Sequence, residues 1–254
     1  MALCINFVSC GDNEGEGGNI DPANTTKRIT NFTKETESYS YTCNLGYDSK
    51  NKVSDISRKG TENIYTEAYA FTFSNNETVA TSEEQYGSYT FIDNIKFSLN
   101  GNGFCTSATW TAIEKNDTFY EENSDHYTFT YNSNNQLTKA EINGNTEEYI
   151  YKNGVMASSD VAETITYTDI PNIGNLFVAL TTNYDDPFEE WRLAGLLGKA
   201  SKFLPKTAAW DEGTETYDYE LDEDGYVKTV KITFRDTKGS ERTYSYKYTY
   251  ENVK

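Results

Sequence analysis

The chain has 254 residues, which suits one large all-β domain or two small ones. Its 40 acidic residues against 22 basic ones leave a net charge of −18. That balance argues against nucleic acid and anionic lipid headgroups as partners, because phosphate must be neutralised by cations. Solubility and mutual repulsion explain the charge more simply than an acidic binding face does. No run approaches the ~18 apolar residues of a membrane-crossing helix.

Near the start, Phe7-Val8-Ser9-Cys10 runs straight into Gly11-Asp12-Asn13-Glu14-Gly15-Glu16-Gly17-Gly18. A short apolar run ending in a small residue and a cysteine is how a bacterial lipoprotein signal ends. Cleavage is expected before Cys10, with acylation of its thiol. Residues 1–9 lack Lys and Arg, so they read as a truncated signal peptide whose basic leader lies upstream. Residues 10–26 are too polar to offset their own ordering entropy and form an acidic tether. The alternative is a short apolar strand carrying an ordinary thiol. Residues 27–254 then form one domain.

Tyrosine is the outlier of that domain, with 21 Tyr beside 13 Phe and 3 Trp. Tyr69-Ala70-Phe71-Thr72-Phe73, Tyr127-Thr128-Phe129-Thr130-Tyr131 and Tyr244-Ser245-Tyr246-Lys247-Tyr248-Thr249-Tyr250 alternate rings with small or polar residues. A period of two marks a half-buried strand. Several such strands share one continuation. Tyr47 leads through Asp48-Ser49-Lys50-Asn51-Lys52 to Val53 and Ile56, and Leu99 through Asn100-Gly101-Asn102-Gly103 to Phe104 and Cys105. Tyr131 leads through Asn132-Ser133-Asn134-Asn135-Gln136 to Leu137 and Ala140, and Leu221 through Asp222-Glu223-Asp224-Gly225 to Tyr226, Val227 and Val230. Phe73-Ser74-Asn75-Asn76-Glu77-Thr78-Val79 is a weaker copy. Each reads as an aromatic strand, a turn rich in residues that tolerate positive φ, and a returning strand.

Leu137 is out of phase with Ala140 and Ile142, and Val227 with Val230, Ile232 and Phe234. Either a bulge follows each turn, or the first apolar residue faces the other way. Asn143-Gly144, Asn153-Gly154, Lys59-Gly60 and Lys238-Gly239 supply further turns. The whole predicts an antiparallel meander of a dozen or more strands, strongly curled or barrel-like. The exception is about 172–204. There Asp185-Asp186-Pro187 offers a helix start, and Trp191, Ala194, Leu197 and Ser201 follow at helical spacing. With Leu193, Leu196 and Leu204 the apolar stripe is wide, so this helical insert is expected to pack on the aromatic face as a plug.

The hairpin copies, the segment Gly198-Lys199-Ala200-Ser201-Lys202-Phe203-Leu204-Pro205 and the lipoprotein start together resemble a Bacteroides-type lipoprotein domain of unknown function with a porin-like fold. The resemblance spans Arg28 to Tyr250. It implies a curled or closed antiparallel sheet on the bacterial envelope, and it carries no functional residue beyond Cys10. The hairpin unit also looks like the YD repeat of large bacterial toxin shells. In Bacteroides-type lipoproteins, acids after the lipidated cysteine resemble a signal for export to the cell surface, as do Asp12, Glu14 and Glu16. An outer-membrane location facing the exterior is therefore expected, with the periplasmic face as alternative. The barrel itself is not expected to span lipid, because one tyrosine-rich face runs the whole length of its strands.

Residues suited to chemistry are few. His126 is the only histidine, so no histidine triad or multi-histidine zinc site is available. The start of a calcium loop at Glu220-x-Asp222-x-Asp224-Gly225 meets Lys231 at the twelfth position, where the bidentate glutamate belongs, so it reads as a turn. Two cysteines, Cys43 and Cys105, either pair or stay as separate buried thiols. Glu121-Glu122, Glu147-Glu148 and Asp211-Glu212 are the acid pairs a glycoside hydrolase would need. Trp110, Trp191 and Trp210 serve either the core or a sugar-stacking groove. The expectation is a non-enzymatic, lipid-anchored binding module without metal or cofactor, its ligand a carbohydrate or peptide. A structural envelope protein and, more remotely, a carboxylate glycosidase are the alternatives.

Overall fold

The computed structural model describes residues 27–60, 66–74, 77–86, 88–160, 162–177 and 188–253. Cys10, the tether and the Asp185-Asp186-Pro187 helix start lie outside them. Sixteen strands follow in order. They are β1 (Lys27–Glu35), β2 (Ser40–Tyr47), β3 (Val53–Gly60), β4 (Thr66–Phe73), β5 (Glu77–Tyr86), β6 (Tyr89–Leu99), β7 (Cys105–Lys115) and β8 (Tyr120–Tyr131). The second half comprises β9 (Leu137–Ile142), β10 (Asn145–Lys152), β11 (Val155–Ser159), β12 (Thr164–Pro171), β13 (Phe203–Trp210), β14 (Gly213–Leu221), β15 (Val227–Asp236) and β16 (Glu241–Asn252). One short helix, α1 (Glu189–Leu193), lies between β12 and β13.

Every strand pairs with its sequence neighbours except β11 with β12, and β1 pairs with β16, so the sheet runs from β11 round to β12. Those two edges come together beside their own short connection. The result is a nearly closed antiparallel barrel. At one end, here the base, lie the turns at 48–52, 100–104, 132–136 and 222–226. Lys27 also lies there, opposite Asn252. The other end is the mouth.

The base turns share one chemistry. Asp48, Asn100, Asn132 and Asp222 each accept two later backbone N–H groups on the side chain, as Asp48 does from Lys50 at 2.8 Å and Lys52 at 2.9 Å. Asn51, Gly103, Asn135 and Gly225 take positive φ at the fourth position. A register shift follows every time, so that Tyr131 pairs with Leu137 but Thr130 with Lys139. Both Leu137 and Ala140 are buried as a result. The bulge reading is the right one, and Asp222 to Gly225 is a turn like its siblings.

Inside, one hydrophobic cluster takes side chains from all sixteen strands. Sixteen strands leave a water-filled channel in a membrane porin; this interior is a packed core. Outside, Thr214, Thr216 and Asp218 of β14, Lys231 and Arg235 of β15, and Lys247 and Thr249 of β16 are exposed. Hydroxyl rungs such as Thr33–Thr42 (2.9 Å) and Thr166–Thr207 (2.6 Å) cross the strands. A membrane barrel carries its apolar band outward. Here the alternation is reversed, and the outer wall suits water.

The helical insert is shorter than its spacing suggested. Gly195 at φ 74 ends it, and Gly198 at φ 85 turns the chain again. Leu204 belongs to β13. Ala194 caps α1, whereas Leu197 lies in a bend and Ser201 in irregular chain beyond it. The insert still packs on the aromatic face. Trp191 meets Phe97 (4.9 Å between ring centres), Tyr127 (5.0 Å) and Phe129 (6.0 Å), mostly edge to face.

Gly198 to Pro205 has a specific structural job. The Lys199 N–H donates to the Asn135 carbonyl at the β8–β9 turn, and the Lys202 N–H to Gly154 at the β10–β11 turn. Ser201 Oγ accepts the N–H of Met156 on edge strand β11 at 3.0 Å and lies 2.9 Å from the Tyr167 hydroxyl of β12. The segment therefore ties both edges of the open seam together, giving the backbone of β11 a partner that β12 does not supply.

Candidate functional site

Because the lower lumen is core, the surface available to a ligand is the inner wall toward the mouth. Its polar groups fall into two sets. On the β1–β3 and β14–β16 side, Arg58 pairs with Glu189 (2.7 Å) and with Glu190, joining α1 to the wall. Tyr41 donates to Glu189 at 3.0 Å, and its hydroxyl is pushed upward in pKa chiefly by burial. Lys34 lies 5.3–5.9 Å from the ring centres of Tyr41, Tyr244 and Tyr246. Glu215 is fully buried and accepts from Tyr217 and Tyr244, each at 2.5 Å.

Burial raises the Glu215 pKa; the two tyrosine hydrogen bonds and Lys34 pull it down without cancelling that effect. A carboxyl raised on folding favours the fold below its unfolded pKa, and that contribution is lost as pH rises through the folded value. Relative to Glu215→Gln, the wild-type chain should thus lose stability as pH climbs from about 4 toward neutral. Urea midpoints of the two proteins across that range measure the effect. Parallel curves would show that the carboxyl ionises freely in the fold.

On the β5–β8 side the register sets out three inward rows. From the mouth down they are Glu84–Phe91–Glu114–Glu121, Ser82–Asp93–Ala112–Asn123 and Ala80–Ile95–Trp110–Asp125. Asp93 is engaged by Trp110 Nε1 (2.8 Å), Ser82 (3.1 Å) and Tyr69 (3.3 Å). Above it, Tyr89, Phe91 and Phe119 are 37%, 39% and 40% exposed. Tyr89 sits 6.5 Å from Phe91 and 6.3 Å from Phe119 between ring centres, so the three make one patch.

No family model matches the chain, and no curated protein does. Among solved structures, a porin-like protein from Bacteroides uniformis superposes with a TM-score of 0.66 at 17% identity. That match covers 88% of this chain and 98% of the other. A second porin-like protein, from Bacteroides vulgatus, gives a TM-score of 0.43 at 13% identity, covering 90% and 100%. The fold is porin-like. The likeness extends to the fold alone, since identity at this level carries no residue roles.

The residues singled out in the sequence scatter over this frame. His126 faces outward on β8, its Nδ1 3.3 Å from Thr109 Oγ1. Glu121 and Glu122 are strand neighbours and point to opposite faces, as do Glu147 and Glu148. Glu147 accepts from Tyr149 at 2.7 Å and Glu122 from Tyr120 at 2.5 Å. Asp211 and Glu212 sit at the β13–β14 turn. Trp191 is core, Trp110 is tied to Asp93, and Trp210 stacks on Phe234 at 5.4 Å. Cys43 and Cys105 are separate buried thiols, and burial pushes Cys105 up to about 12. Sequence reasoning missed Arg58, Glu215 and the Tyr89–Phe91–Phe119 patch. Only the rings carried a signal, as strand aromatics at the far end of their hairpins.

Proposed function

We propose that this chain is a lipid-anchored envelope protein that binds a partner at the barrel mouth and performs no chemistry on it. The observation that carries this reading is the exposed Tyr89–Phe91–Phe119 patch on the inner wall near the mouth. Among the described residues, a core contributed by all sixteen strands, with α1 packed on it, occupies the interior of the barrel. A porin-like fold so filled serves as a scaffold, and its usable surface is the mouth.

Orientation follows from the fold and the anchor together. Lys27 enters at the base, where its Nζ meets Asp222 at 2.7 Å and also Asp224, and its N–H donates to Tyr226. A tether from an acylated Cys10 would therefore hold the base toward the membrane and the mouth away from it. The outer leaflet, facing the exterior, is the location we assign, with the periplasmic face as alternative. A purely structural role is favoured by one feature, the insert that fills the lumen.

Metabolic labelling with a palmitate analogue should mark the wild-type protein and not Cys10→Ala. Equal labelling would remove the anchor from this reading. A glycan and peptide array probed with the full-length Cys10→Ala chain separates the two roles. Saturable binding to a defined class supports the module, and a blank array supports the structural role.

A further inference from the structure

The net charge of −18 is not spread evenly over the molecule. On the seam side of the base, the chain at 100–104, 132–136, 152–155, 172–176 and 198–202 contains Lys152, Lys199 and Lys202 and no Asp or Glu. All three lysines are exposed, and none forms an ion pair among the described residues. Backbone bonds gather them. The Lys199 N–H donates to Asn135 at 2.8 Å, and the Lys202 N–H to Gly154, two residues beyond Lys152, at 3.1 Å. A Cβ on Gly154 would stand 3.3 Å from Lys202 Cδ, so the Lys202 stem lies over that turn. The Asn172 N–H donates to the Lys202 carbonyl, which sets Ile173 beside it, 48% exposed. Ile173 leans on the 222–226 turn, its Cδ1 3.5 Å from the place of a Gly225 Cβ, and Leu221 before that turn is 39% exposed. Across the base the cations are answered, Lys27 by Asp222 and Asp224, and Arg28 by Glu251. Asp169 and Glu223 are the exposed acids that flank the patch.

We propose that this end of the barrel is a membrane-contact surface that settles on anionic phospholipid headgroups, with its lysines on the phosphates and Ile173 and Leu221 at the edge of the hydrocarbon. Lysines beside exposed aliphatic side chains match a bilayer interface, where charge and apolar surface are met at adjacent depths. A nucleic acid would answer the lysines and leave both aliphatics against water. The acids of the mouth do not oppose this contact. Strands of about ten residues, tilted across the wall, put the mouth roughly 25 Å away, about three Debye lengths at physiological salt. Charge local to the base therefore decides, and there it is positive. Lys27 enters at the same end, so an anchor at Cys10 and this patch would engage one surface. The patch itself is read without the anchor and without any partner at the mouth.

Co-sedimentation of the full-length Cys10→Ala chain with vesicles tests the surface apart from acylation. Vesicles of equal phosphatidylglycerol and phosphatidylcholine should take up the protein at least tenfold better than phosphatidylcholine alone, and the difference should shrink several-fold between 50 and 300 mM NaCl. A lysine near an anionic surface is worth roughly fivefold in partition. Lys152→Gln, Lys199→Gln and Lys202→Gln combined should thus lower uptake at least tenfold, while circular dichroism stays that of the wild type. Lys115→Gln, Lys231→Gln and Lys238→Gln combined remove the same charge from the outer wall and mouth and should change uptake less than twofold. Ile173→Ser should weaken it several-fold. No uptake by the anionic vesicles, equal uptake by neutral ones, or equal loss in the second triple variant would overturn the surface. An inert Ile173→Ser, or tighter binding of single-stranded DNA than of vesicles, would make the patch a general polyanion site and remove the lipid. Uptake that appears only after Asp12, Glu14, Glu16 and Asp21 are neutralised would give the lysines to the chain's own tether, again against the lipid. Palmitate labelling reads Cys10 and the array reads the mouth, so those proposals stand or fall separately.

Discussion

Truncating Trp191 to alanine should lower the free energy of unfolding by about 3–5 kcal/mol, the usual cost of emptying an aromatic site in a core. Trp191 is 3% exposed, and its indole meets Phe97, Tyr127, Phe129 and Phe188. The insert backbone cannot collapse into the gap, because α1 is held from the far side by Arg58 through Glu189 and Glu190. Chemical denaturation followed by tryptophan-independent circular dichroism measures the loss. A midpoint within error of the wild type would mean that the insert rests on the barrel without bearing on its stability.

Gly198→Ala is the second large effect, for a different reason. Gly198 has φ +85, where an L side chain costs roughly 1–2 kcal/mol. Its Cβ would also stand 2.5 Å from the Asn135 carbonyl oxygen and 2.9 Å from the Tyr131 ring. Backbone must shift to relieve that contact, and overpacking of this kind costs about 1–3 kcal/mol more. The sum, about 2–5 kcal/mol, falls on the segment that ties the seam. Hydrogen exchange should locate the damage, with protection lost first at Met156 and Lys202. Uniform loss across all strands, or none, would show that the segment does not guard the seam.

The sequence revealed the wall far better than the mouth. Period-two tyrosines such as Tyr244 to Tyr250 declare a strand and its buried side without reference to any other residue. The Asx turns at Asp48, Asn100, Asn132 and Asp222 are equally local, and the phase slip at Leu137 narrowed the choice to a bulge or a reversed first residue. The insert was harder. Trp191, Ala194 and Leu197 keep helical spacing, but Gly195 and Gly198 at positive φ override it, and the helix ends at Leu193. The inner polar groups were illegible because they depend on register. Asp93 meets Trp110, Ser82 and Tyr69 from three neighbouring strands, and Glu215 meets Tyr244 only because β15 sets β14 and β16 side by side. Such meetings belong to the sheet, and a one-dimensional reading has no coordinate for them.

The ladder between β1 and β16 joins the two ends of the domain, with Arg28 bonded to Glu251 across 223 positions of chain. No earlier strand takes that place in the finished sheet, where the only free edges, β11 and β12, face each other at the seam. During synthesis the growing sheet must therefore wait, rolled but unsealed, until β16 arrives. Throughout that interval the tyrosine lining has no opposite wall, and closing so long a loop is intrinsically slow. A protein built this way is most vulnerable before its final strand docks, and least so afterwards.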